Sequence, residues 1–261
     1  MRLAPLALMA GLFGQPVPDQ QHNLLPVPAS VTMGAGSLLL DSTFTAAITG
    51  YRDPRLERAV QRAMRRLEAR MVVALPRSIG GTAPTKGLIV QVGRASPAVP
   101  SLDDDESYRI DVTKQTVTLT APTVVGAIRG LETVLQLYQQ DASGASLQMA
   151  TITDAPRFRW RGVLVDAGRH FIPVEVITRT IDGMAMAKLN VLHWHLSEDQ
   201  GFRVESKRFP KLHQLGSDGE YYTQDQLRDV VAYARERGIR VVPEFDMPGH
   251  STAWLVGYPQ Y

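Results

Sequence analysis

Between residues 162 and 245 three short apolar runs alternate with two amphipathic helical stretches, and no other feature of the chain restricts its fold as much. Gly162 to Asp166, Asn190 to His195 and Ile239 to Phe245 read as strands. Pro173 opens a helix carrying Val176, Ile177, Ile181 and Met184. Thr223 with Gln226 forms a capping box for a second, which bears Leu227, Val230, Val231 and Ala234 and closes at Gly238. Strand, helix, strand, helix, strand at this spacing predicts a parallel α/β unit.

Each strand also ends in polar residues. Asp166 and Arg169 follow the first; His195, Glu198 and Asp199 the second; Glu244, Asp246 and His250 the third. Loading one end of successive parallel strands is the pattern of a (β/α)8 TIM barrel, whose site lies at the carboxyl ends. A doubly wound sheet gathers its ligand groups at one switch point instead. Such a barrel takes about 250 residues, and about 105 follow Pro156. The expectation is therefore an α/β chain holding the first three strands of an incomplete barrel, or else a small open sheet.

The preceding half has a different grammar. Residues 31–33 and 37–40 read as two strands around a Gly34/Gly36 turn, and Asp53-Pro54 starts a helix with Leu56, Ala59, Val60, Ala63, Met64 and Leu67 at helical period. Strands at 87–92, 108–112 and 117–120 lead to a helix over 123–140, with Ile128, Leu131, Leu135 and Tyr138 on one stripe, and to a closing strand at 148–152. This order describes an N-terminal α+β domain with its helices on one face. Arg55, Arg58, Arg62, Arg65, Arg66 and Arg70 on the first helix read as a solvated face, and the acidic run 103–106 as a solvated loop. The resulting division is a signal peptide and linker at 1–20, an α+β domain at 21–153 and a partial barrel at 154–261.

Residues 1–14, with Arg2 before a short apolar run, point to export to the periplasm or outside the cell, in the absence of which the chain is cytoplasmic. No other segment approaches membrane-spanning length. A net charge of +2 gives no nucleic-acid signature. The absence of cysteine excludes disulfides, thiolate nucleophiles and Cys-type zinc sites.

Serine-nucleophile and helical zinc-protease motifs are missing. Alternation at period two places His193 and His195 on one strand face, an arrangement that can ligate a metal in a metal-dependent barrel hydrolase but is more common as a buried histidine pair that packs and hydrogen-bonds. Glu198, Asp199, Glu244 and Asp246 supply carboxyl groups of the kind that glycoside hydrolysis needs, with His250 placed to tune one of them. A loop acid can also cap a helix or join a surface ion pair. Arg169 can grip sugar hydroxyls or pair with Asp166. A non-catalytic sugar-binding module stays open as well.

The runs RGVLVDAGRHFIP, KLNVLHWHLSEDQGFRVESKRFPKL and YYTQDQLRDVVAYARERGIRVVPEFDMPGH resemble the bacterial β-N-acetylhexosaminidases of glycoside hydrolase family twenty, in order and spacing, from Arg157 to Tyr261. The preceding region is more loosely similar to the family's non-catalytic domain. The resemblance implies removal of terminal β-linked GlcNAc or GalNAc from glycosides and glycans, without metal or cofactor, by attack of the substrate's own acetamido oxygen. It implies that Arg169 binds sugar hydroxyls and that Glu198 and His250 support the general acid. Glu198 stands where many members carry aspartate, and Asp199 matches a second acid. The family's H-x-G-G-D-E motif, which ends in the catalytic Asp-Glu pair, has no match in these residues. The expectation is an inactive fragment, truncated before that pair.

Overall fold

The structure is a computed structural model that describes residues 22–261. The segment read as signal peptide and linker, 1–20, lies outside the described residues. The first half runs β1 (Ser30–Leu39), β2 (Thr45–Gly50), α1 (Pro54–Glu68), β3 (Ile79–Gly80), β4 (Gly87–Arg94), β5 (Tyr108–Val112), β6 (Thr116–Thr123), α2 (Val124–Gln136), β7 (Tyr138–Asp141) and β8 (Gly144–Asp154). Its mixed sheet is ordered β1-β8-β5-β6-β4-β2-β3, with β7 added to β8.

Local chemistry sets the helix starts. Asp53 accepts from the Leu56 amide at 2.8 Å and Pro54 occupies the first turn, where its missing N–H costs nothing. Thr123 caps α2 through the Gly126 amide. The apolar stripes of α1 and α2 then close on the sheet, fully burying Leu56, Leu67, Leu88, Ile110, Leu119 and Leu147.

Three local readings change. The segment expected as two strands is the single strand β1, whose register with β8 shifts between Met33 and Ser37, so the glycines form an irregularity and no turn. The helix over 123–140 stops at Gln136; Tyr138 leaves the helical stripe for β7, which pairs back on β8. Thr45–Gly50 adds β2, parallel to β4, which the sequence reading left unassigned.

The second half follows with β9 (Gly162–Asp166), α3 (Val174–Met186), β10 (Val191–Glu198), β11 (Gly201–Phe202), α4 (Lys211–Leu215), α5 (Gln224–Arg235), β12 (Arg240–Phe245) and α6 (Thr252–Gly257). β9 and β12 flank β10, both parallel to it. Thr223 and Gln226 form the expected capping box. Leu192, Trp194 and Leu196 pack toward Ile177, Ile181, Val230 and Tyr222, with the Trp194 and Tyr222 rings 4.7 Å apart. The opposite face of β10 carries His193, His195 and Ser197. No helix of the described residues is long and apolar enough to cross a membrane.

The halves meet along a charged seam, and here one surface expectation fails and a second holds only in part. Glu106, read as part of a solvated loop, is buried: Arg129 Nε lies 2.5 Å from its Oε2, Arg161 Nη2 at 2.6 Å, and Asn190 Nδ2 donates to Oε1 at 3.1 Å. Arg129 reaches across to the carbonyls of Arg237 and Gly238. The arginines on and just after α1 are divided: Arg58, Arg65 and Arg70 are exposed, as expected of a solvated face, while Arg55 is buried and Arg62 and Arg66 are half-buried. Arg58 forks onto the Glu236 carboxylate, Arg62 donates to the Glu236 carbonyl, Arg66 pairs with Glu132, and Arg70 donates to the Leu135 carbonyl. Gly238, at φ 67, both ends α5 and admits α2, since a β-carbon there would stand 2.9 Å from the Val125 side chain.

Candidate active site

β10 brings the site together. Its carboxyl end places Glu198, 1% exposed, beneath an imidazole and a guanidinium from the neighbouring strand ends. His250 Nδ1 lies 2.7 Å from Glu198 Oε1, and Arg169 Nη2 contacts the same oxygen. His195 Nε2 stands 3.8 Å away on the buried side. Arg169 also pairs with Asp166, its Nη1 at 2.6 Å from Oδ2 and its amide bonded to Oδ1, which is the ion pair offered as one of the two readings of this arginine. The Asp166 hydrogen bond raises the guanidinium's pKa. Asp166 itself is lowered, because the Arg169 contacts and the His195 charge outweigh the opposing effect of burial.

Glu198 reaches His250 because the chain around both is fixed from below. Asp199 Oδ1 accepts from the Thr252 amide at 2.9 Å and hydroxyl at 2.7 Å, tying the end of β10 to the start of α6. These same two bonds lower the Asp199 pKa. Phe202, Leu212 and Ala253 form a small core beneath α6, with Trp254 packed edge-on to Phe202 at 5.1 Å. His250 has φ 56, in the left-handed region that non-glycine residues rarely adopt. Gly168 lets the β9 turn press on Glu198, whose β-carbon would lie 3.0 Å from any β-carbon at 168.

Arg203 was not singled out by the sequence. It is buried and donates to five carbonyl oxygens, those of Ala167, Gly168, Gln200, Ser217 and Glu220, so one guanidinium holds the β9 and β10 turns together. A lone arginine in a polar segment offers no pattern by which to find it.

The remaining candidates form a second group deeper on the same face. His193 Nε2 and His195 Nδ1 both approach Glu244 Oε2, at 2.7 and 3.0 Å. Burial alone would raise the Glu244 pKa; hydrogen bonding and charge from His195, then His193 and Asp246, bring it down. Ligating atoms of His195, Glu244 and Asp246 converge within 4.8 Å, as do those of Glu198, Asp199 and His250. In the second trio Arg169 already neutralises Glu198, and the same positive charge disfavours a cation there.

Acids, imidazoles and a guanidinium gathered at the carboxyl ends of parallel strands define the class: an α/β protein with its site where such sheets place theirs. More particularly, the chain belongs to glycosyl hydrolase family 20, whose domain 2 matches residues 21–155 and whose catalytic domain matches residues 158–261. It is 48% identical over 163 residues to the human β-hexosaminidase subunit beta, a match covering 61% of this chain and 29% of the relative. It is 34% identical over 258 residues to the β-hexosaminidase of Porphyromonas gingivalis, covering 93% of this chain and 32% of the relative. Among solved structures, the Flavobacterium johnsoniae chitobiase superposes with a TM-score of 0.87 at 42% identity, covering 92% of this chain and 37% of that one. Streptomyces plicatus N-acetyl-β-hexosaminidase, in complex with thio-NAglucal, gives 0.79 at 30% identity, covering 91% and 48%. The chain thus spans about a third of the length of the curated relatives it matches.

Proposed function

We propose that the chain forms the non-catalytic domain (21–153) and the first three barrel strands (154–261) of an exo-acting β-N-acetylhexosaminidase. The substrate is a glycoside or glycan ending in β-linked GlcNAc or GalNAc. The observation that carries this reading is the single Glu198 oxygen shared by His250 and Arg169 at the strand ends. Arg169, half exposed, keeps donors free for the hydroxyls of the terminal sugar. Glu198 and His250 form a close acid–imidazole pair, 2.7 Å apart, that supports proton transfer by a general acid.

The retaining reaction uses the substrate's acetamido oxygen as nucleophile, so one carboxylic acid is enough to protonate the leaving oxygen. No H-x-G-G-D-E sequence occurs among the 261 residues, and without that acid the chain alone is inactive. The barrel reading is supported by Leu164, 55% exposed and in register with His193 on the face of β10 that the helices do not cover. The basic and apolar start of the chain supports export, which N-terminal sequencing of the protein from its native host checks.

Sugar binding tests the wall directly. Adding N-acetylglucosamine to the ¹⁵N-labelled chain is expected to shift the side-chain signals of Arg169 and His250, and Arg169→Ala to abolish both shifts. Shifts at His250 that persist unchanged in Arg169→Ala would remove the arginine from the site.

A further inference from the structure

Away from the Glu198 cluster, the seam between the halves holds a half-open cavity of about 440 Å³. Apolar side chains of α1, α2 and α3 floor it, and its charged lining is Arg62, Arg65, Arg66, Arg237, Glu132 and Asp182. Both acids are already engaged. Glu132 takes Arg66 Nη1 on its two oxygens, each at 2.7 Å. Asp182 takes Arg237 Nε at 2.6 Å on one oxygen and the Tyr233 hydroxyl at 2.8 Å on the other.

Two cations are left over. Arg62, half buried, makes only a backbone bond, to the Glu236 carbonyl at 2.8 Å. The exposed Arg65 side chain makes no hydrogen bond or ion pair among the described residues, and it stands three residues on, hence on the same side of α1. Burial first, then the nearby charge of Arg237 and more weakly that of Arg65, bring Arg62 down to about 10, although Glu236 and Glu132 act the other way. A partly buried guanidinium beside like charges is stabilised by an anion that offers several oxygens at once.

We propose that this seam cavity is a binding site for a phosphate group, either free phosphate or the monoester of a small organic molecule, held by Arg62 and Arg65. A tetrahedral oxyanion with two negative charges matches the two unpaired guanidiniums in charge and in number of donors. The cavity is far larger than one such ion, so a monoester's organic part has room against the apolar floor. Because α1 and α2 come from the first half and Asp182 and Arg237 from the second, an occupant also fastens the two halves together.

The test is calorimetric titration of the 261-residue chain with sodium phosphate and with glycerol 3-phosphate, with glycerol and sodium chloride at matched ionic strength as controls. Melting curves are recorded in parallel. The expected result is a one-site isotherm for at least one phosphate, a saturable rise in Tm, and binding weakened about tenfold or more by Arg62→Met. Tighter binding of the ester or of the free ion tells which of the two the cavity takes. Arg62 also bonds the Glu236 carbonyl, so Arg65→Met, which removes no contact, is the second variant, and it is expected to weaken binding several-fold while folding normally. Phosphate raises Tm without binding through its exclusion from protein surfaces. A rise that never saturates, or an isotherm unchanged in Arg65→Met and matched by chloride, overturns the proposal.

Discussion

At the scale of single residues, burial separates the acids that matter from those that only decorate the surface. Glu106 and Glu198 are both nearly inaccessible, and each is held by basic side chains from other elements, two guanidiniums for Glu106 and the Arg169 guanidinium with the His250 imidazole for Glu198. A buried carboxylate with two guanidiniums leaves those charges uncompensated when it is neutralised, so Glu106→Gln is expected to lower stability by about 3–5 kcal/mol, measured by urea unfolding. The pH dependence follows from the direction of its shift. Burial would raise the Glu106 pKa, but Arg129, Arg161 and Asn190 together hold it below its usual 4.5. A depressed carboxylate contributes stability that is full above the unfolded value and is lost as pH falls through the folded one. The stability of the wild-type protein should therefore drop below pH 4.5, and Glu106→Gln should flatten that acid limb; an identical slope in both would contradict the assignment.

At the scale of elements, local signals were legible and long-range pairing was not. The capping box at Thr223 and Gln226, the Pro54 helix start and the apolar strand Gly162–Asp166 are written in a few adjacent residues, and the structure contains each of them. Thr223→Ala is expected to cost about 1 kcal/mol by removing the bond to the Gln226 amide, readable as a loss of thermal stability; a neutral result would mean the cap contributes nothing. By contrast, Tyr138 continues the stripe of α2 in sequence but is claimed by strand pairing with β8. The arginines of α1 have the spacing of a solvated face, and only the docking of α5 brings Glu236 to them, so that Arg58 pairs with it while staying exposed and Arg62 becomes half-buried against its carbonyl. In the site, Glu198, His250 and Arg169 could be found because each follows an apolar strand. Arg203 could not, since its five partners come from turns separated in sequence by tens of residues.

At the scale of the whole molecule, two cores share one seam, and the site occupies one end of the second. Among the described residues the α+β half contributes no side chain to the Glu198 cluster; it meets the second half through Glu106, Arg129 and Tyr108, which engage Arg161, Asn190, Arg237 and Lys188. That arrangement makes the first half a base and the strand ends a wall of the proposed sugar site. The proposed role of this wall is to support a general acid that the 261 residues do not supply. Release of p-nitrophenol from its β-GlcNAc glycoside by the purified chain is the decisive measurement. No release above the spontaneous rate is expected, and turnover in the range of ordinary enzymes, about 1 to 10³ per second, would contradict that role.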